Sequence, residues 1–164
     1  MSQPQCYDQS MGTTTKTMYD SDFVEWTVRT AGLLREGRLG EADLEHIAEE
    51  IQDLGASERS AMRSQLRRML MHLVKQRIQP EHDGASWRAS IANAQLEILD
   101  KVAVSPSLRA YARENLEQLY REAVSVALIE TDLSGRETAL NIAPVCPFSL
   151  DELLSSDPAV LWRR

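Results

Sequence analysis

Long apolar runs are what this sequence most plainly lacks: none approaches the ~20 residues that a helix needs to cross a bilayer, so no membrane span is expected. The opening "MSQPQCYDQSMGTTTKT" has neither a basic n-region nor an apolar h-region, which argues against a secretory signal and for a cytoplasmic chain. Cysteine is scarce as well. Cys6 and Cys146 lie 140 positions apart, which gives neither a disulfide framework nor a zinc spacing, and reduced thiols are expected. Strand signals are almost absent, because no hairpin dipeptide sits between alternating runs and the β-branched residues are scattered along helical faces. No Gly-rich phosphate loop, nucleophile elbow or paired-cysteine motif occurs, so no machinery of a hydrolase or nucleotide-binding enzyme is visible. Positive charge is in deficit: 18 Lys and Arg against 25 Asp and Glu leave a net −7, a field that opposes a phosphate backbone.

What is present fits one helical body. The 164 residues suffice to bury a substantial core without staples, and 43% apolar with 26% charged residues is a globular balance. Residues 1–18 are polar and aperiodic and read as a flexible arm, leaving 19–164 as a single all-helical domain. In "YDSDFVEWTVRTAGLLREG", Val24, Val28, Ala31 and Leu34 recur at helical spacing, with Asp20, Ser21 or Asp22 as N-cap and Gly37 past the end. A second helix places Leu44, Ile47, Ile51 and Leu54 at steps of three, four and three, with Gly55 as its stop. A third and longest helix carries Met62, Leu66, Met69, Leu70, Leu73, Val74 and Ile78 on one side and ends before Pro80.

A fourth helix follows "QPEHDGA" with a stripe of Trp87, Ile91, Ala94, Ile98 and Val102. In "SPSL", Ser105 as cap and Pro106 at the first position open a fifth, with Leu108, Ala112, Leu116, Leu119, Ala123 and Val126 on its apolar side. Residues 132–148 are irregular, and Ser149 with Glu152 forms a capping box for a short last helix. The expected fold is therefore all-α, five main helices in a bundle-like array plus a short C-terminal helix.

Taken in order, "YDSDFVEWT", "LEHIAEEIQDLGASE", "HLVKQRIQP" running into "SWRASI", "SPSL" and "CPFSLDELL" give the chain its likeness to a known family. It resembles the bacterial family called domain of unknown function 29 across residues 19–155. That resemblance implies an all-helical fold found in bacteria, notably cyanobacteria and proteobacteria. It brings no reaction, cofactor or catalytic residue with it.

The charge-rich "DLEHIAEEIQDLG" poses the main question about a site. At ~100° per residue, Leu44, Ile47, Ala48, Ile51 and Leu54 define the core side of the second helix, while His46, Glu49 and Asp53 fall toward solvent. Asp43 and Glu50 lie together on one shoulder of the apolar stripe, where a desolvated carboxylate needs a partner. On the third helix Arg68, His72, Lys75 and Gln79 share a basic edge. If a "GAS" turn folds the two helices into an antiparallel hairpin, these edges face each other, as do Asp53 and the Arg59 and Arg63 nearer the turn. A structural ion-pair seam is favoured over a ligand pocket or docking groove in which Trp87 takes part.

Metal chemistry is disfavoured. A di-iron bundle site needs Glu-x-x-His pairs projecting inward, whereas His46 precedes Glu49 and Glu50 and faces away from the expected core. His72 has the chemistry of a lone ligand or general base, but a histidine beside apolar residues is more often hydrogen-bonded structure. Glu81, His82 and Asp83 are adjacent and do not easily converge on one ion, so a solvated turn is favoured. Arg59, Arg63, Arg67 and Arg68 raise a nucleic-acid reading that the acidic neighbouring helix and the lack of interleaved aromatics weaken. Trp162, in the C-terminal "DPAVLWRR", suits either a second subunit or the chain's own core. The leading expectation is a non-enzymatic protein-interaction module that binds a protein partner or self-associates and needs no cofactor. The alternative is a ligand-binding or metal-dependent enzyme using the polar edge of Asp43, Glu50, Arg68, His72, Lys75 and Trp87.

Overall fold

The computed structural model describes residues 17–82 and 84–161. Helix α1 (Met18–Ser21) begins in a capping box: the Thr17 hydroxyl accepts from the Asp20 N–H, and the Asp20 carboxylate accepts from the Thr17 N–H. Asp22 then caps α2 (Phe23–Arg35) by accepting from the Glu25 N–H at 3.0 Å. Gly37, at φ 72°, ends α2: its N–H and that of Arg38 return to the carbonyls of Leu34 and Leu33.

After a single 3-10 turn at Leu39–Glu41, α3 runs from Leu44 to Ile78 as one helix of 35 residues. The stop expected at Gly55 does not occur. A helix-interior glycine costs only about 1 kcal/mol, and the flanking Glu, Leu and Arg residues are good helix formers. Gly55 keeps helical φ, whereas Gly37 and Gly135 are the glycines that take positive φ among the described residues. The second and third expected helices are thus one element, and the five main helices become four of 13, 35, 20 and 24 residues.

A turn at Pro80–His82 leads to α4 (Ala85–Val104) and α5 (Ser107–Glu130), where Pro106 stands at the N-cap rather than inside the helix. Residues 132–148 make turns, and the short α6 (Leu150–Ser155) and α7 (Pro158–Leu161) follow. The capping box read from Ser149 and Glu152 is present. No strand occurs among the described residues, and none of their helices is long and apolar enough to cross a membrane.

Packing divides the chain into two compact units, one up to Asp53 and one from Leu54 onward. In the second, α3 contributes Met62, Leu66, Met69 and Leu70, α4 Ile91 and Ile98, α5 Leu119 and Ala123, and α6 Leu150 and Leu153 to one core. Buried Gln95 ties α4 to α6 by donating to the carbonyls of Leu153 and Ser156 at 2.7 and 2.9 Å, which satisfies backbone acceptors at the α6 end. Arg63 and Arg67 pair with Glu122 of α5, and Lys101 of α4 with Glu58.

The first unit buries much less. Trp26, Thr30 and Leu33 are the buried positions of α2. The stripe expected there is on the wrong side: Val24, Val28 and Leu34 are exposed. Both faces carry apolar residues at helical spacing, and the indole, with the largest apolar area, takes the inside. On the N-terminal part of α3 the expected core side also lies open, with Leu44 54%, Ile51 64% and Leu54 69% exposed and only Ile47 half-buried.

Candidate functional site

The six residues singled out by sequence divide between the units: Asp43 and Glu50 belong to the first, and Arg68, His72, Lys75 and Trp87 to the second. With α3 unbroken there is no hairpin turn to face the acidic shoulder against the basic edge. Each set finds partners within its own unit.

In the first unit the centre of the arrangement is Tyr19. Its hydroxyl donates to Glu50 at 2.6 Å, its ring stacks on His46 with centroids 3.9 Å apart, and it meets Trp26 edge-on at 4.9 Å. The bond to Glu50 and burial raise the phenol to about 12, so it stays a donor. His46, placed toward solvent by helical angle, is therefore half-buried under Tyr19, and its Nδ1 lies 2.5 Å from the Asp43 carboxylate. That contact raises the His46 pKa and lowers that of Asp43. Glu45, Glu49 and Asp53 are exposed, and their side chains make no hydrogen bond or ion pair among the described residues.

In the second unit Lys75 is 7% exposed and pairs with Glu130 of α5, its ammonium 5.6 Å from the centre of the Trp87 ring. His72 lies against the same indole at 6.4 Å, and its buried Nδ1 has no hydrogen-bond partner among the described residues. Burial, then the Lys75 charge, lowers its pKa, so the imidazole is neutral at physiological pH. Arg68 is exposed on the edge of this cluster and adds to the same shift. The cluster works as a joint between α3, α4 and α5.

Sequence reasoning missed Tyr19 and Glu130. Tyr19 stands in a quoted motif, but its partner is 31 residues away, and Glu130 lies 55 from Lys75. Among the described residues no group of three or more His, Cys, Asp or Glu is placed to hold a metal ion. His82 and Glu81 are exposed, 3.3 Å apart. Asp83, Cys6 and Trp162 lie outside the described residues. Cys146 is a free, half-buried thiol raised by burial to about 11, which leaves it protonated and a poor nucleophile.

The family of domain of unknown function DUF29 matches residues 18–158, from the first residue of α1 to the first of α7. The chain belongs to that family. No curated protein and no solved structure matches it.

Proposed function

We propose that the chain is a non-enzymatic docking module of the bacterial cytoplasm whose acidic first unit receives a basic amphipathic helix of another protein. The observation that carries this reading is where charge and apolar surface coincide. Residues 17–53 hold ten Asp and Glu against three Arg, a net −7, while residues 54–164 hold fourteen acidic against fourteen basic. The whole imbalance of the protein thus belongs to one unit. The same unit exposes Leu44 and Ile51 at the spacing that seats a partner helix, with Asp43 and Glu50 on the shoulder. Exposed apolar side chains rimmed by charge are characteristic of an interaction site.

A partner of opposite charge suits this surface better than a second copy, because self-pairing sets one −7 unit against another. Arg68, His72, Lys75 and Trp87 have a structural part in this reading, holding α3, α4 and α5 in register.

The test uses two synthetic amphipathic helices of about 18 residues, five turns, one of Leu and Lys and the other of Leu and Glu. The Leu/Lys peptide is expected to bind by fluorescence anisotropy and to weaken as the Debye length shrinks from ~30 Å at 0.01 M to ~3 Å at 1 M salt. Ile51→Glu is expected to weaken it at least about tenfold, a loss of 1.4 kcal/mol, without changing the circular dichroism. Equal binding of both peptides, or no effect of Ile51→Glu, defeats the proposal.

A further inference from the structure

The second unit contains a cavity of ≈470 Å³ that none of the residues discussed above explains. It lies between the C-terminal part of α3, α5, the irregular segment and α7. Its walls are mainly apolar, with Leu73, Val74, Ile142, Phe148 and Leu161 among them. The volume falls within the ~300–1,000 Å³ of small-molecule sites, and an apolar space of this size gives water few partners.

Three polar side chains reach it. Tyr120 is already committed, its hydroxyl donating to the Ala143 carbonyl at 2.9 Å and anchoring the irregular segment. Asn141, held at φ 51°, makes no side-chain hydrogen bond among the described residues. Arg77 is the informative one. It is an exposed residue at the cavity wall, and its guanidinium has neither a carboxylate nor a hydrogen-bond acceptor among the described residues. Among the described residues no acidic side chain lines the cavity to neutralise it. A second cavity, which shares Tyr120 and Asn141, sets Arg121 against Glu137 and so has no net preference for an anion.

We infer that the Arg77 cavity is a binding site for a small amphipathic carboxylate, with its hydrocarbon part among Leu73, Val74, Ile142 and Phe148 and its head on the guanidinium. An unpaired arginine offers a carboxylate two parallel N–H donors, and the Asn141 amide supplies a further donor at the same wall. A cation gains nothing at this site. A neutral alkane fills the walls but leaves the guanidinium unpaired.

The experiment titrates the full chain with decanoate and with decanol, both below the concentrations at which they aggregate, by calorimetry and by methyl NMR of Leu73, Val74 and Ile142. Decanoate is expected to bind one to one, shift those methyls, and exceed decanol at least about tenfold in affinity. Arg77→Gln, an exposed change that leaves the core intact, is expected to reduce that preference to less than about threefold and to leave decanol binding unchanged. Equal affinity of decanoate and decanol for the unaltered protein overturns the inference, as does undiminished decanoate binding by Arg77→Gln. Binding that appears only after Trp162→Ala also overturns it, since the chain's own tail is then the occupant. The peptide titrations with Ile51→Glu read a different unit, so neither result decides the other.

Discussion

Helix α3 contains two versions of one pattern. From Met62 to Ile78 its apolar residues at helical spacing are buried, four of them in direct sequence order at 1% exposure or less: Met62, Leu66, Met69 and Leu70. From Leu44 to Leu54 residues of the same kind at the same spacing are largely open. The difference therefore comes from what the chain supplies opposite them. Helices α4, α5 and α6 contribute to one core with the later stretch, and among the described residues no comparable set of buried residues accompanies the earlier one. Periodicity identifies which face seeks cover, and tertiary structure decides whether the same chain provides it.

Matched truncations test that difference most strongly. Leu66→Ala is expected to cost about 2–5 kcal/mol in a denaturant melt, the range for a buried leucine. Ile51→Ala is expected to stay within about 0.5 kcal/mol, as exposed changes do. If both cost the same, the two stretches of α3 are equally buried and the contrast collapses.

The elements that were legible in the sequence are those decided locally. The stripe of α4 from Ile91 to Ile98, that of α5 from Leu108 to Ala123, the Gly37 terminus and the Ser149 capping box are each set within a few residues, and each is present. The candidate site was harder, because it turned on one backbone choice at Gly55. Read as a stop, it creates a hairpin that opposes acidic and basic edges. As a helical residue it sends Asp43 to His46 and Lys75 to Glu130. Pairings such as Lys75 with Glu130 and Gln95 with Leu153, 55 and 58 residues apart, leave no local trace. The face of α2 was misread for a related reason: Val24 and Val28 form as regular a stripe as Trp26, Thr30 and Leu33, and the contacts of Trp26 with Tyr19 select between them.

Gly55 also provides a smaller and sharper test of the continuous helix. A Cβ built there meets only the flexible end of Arg59, at 3.7 Å. Gly55→Ala is therefore expected to stabilise the protein, by about 0.5–1 kcal/mol, since alanine removes the unfolded-state freedom and poor helix propensity of glycine. A loss of stability in the same melt places a turn at Gly55 and restores the hairpin.

The finest distinction between the units is the opposite behaviour of their histidines. His46 is raised by its bond to Asp43, so its contribution is complete below the unfolded value of about 6.5 and is lost as pH rises through the higher folded value. Asp43, lowered by the same bond, loses its contribution only as pH falls through its depressed folded value in the acid range. His72 is lowered by burial, so its contribution is complete above about 6.5 and is lost as pH falls through the folded value. Ring NMR should then give His46 a titration midpoint above that of His72, and Asp43→Asn should bring the first down without moving the second. Midpoints in the reverse order put the desolvated imidazole in the acidic unit and the paired one in the core, contrary to the partners that Tyr19, Asp43 and Trp87 provide.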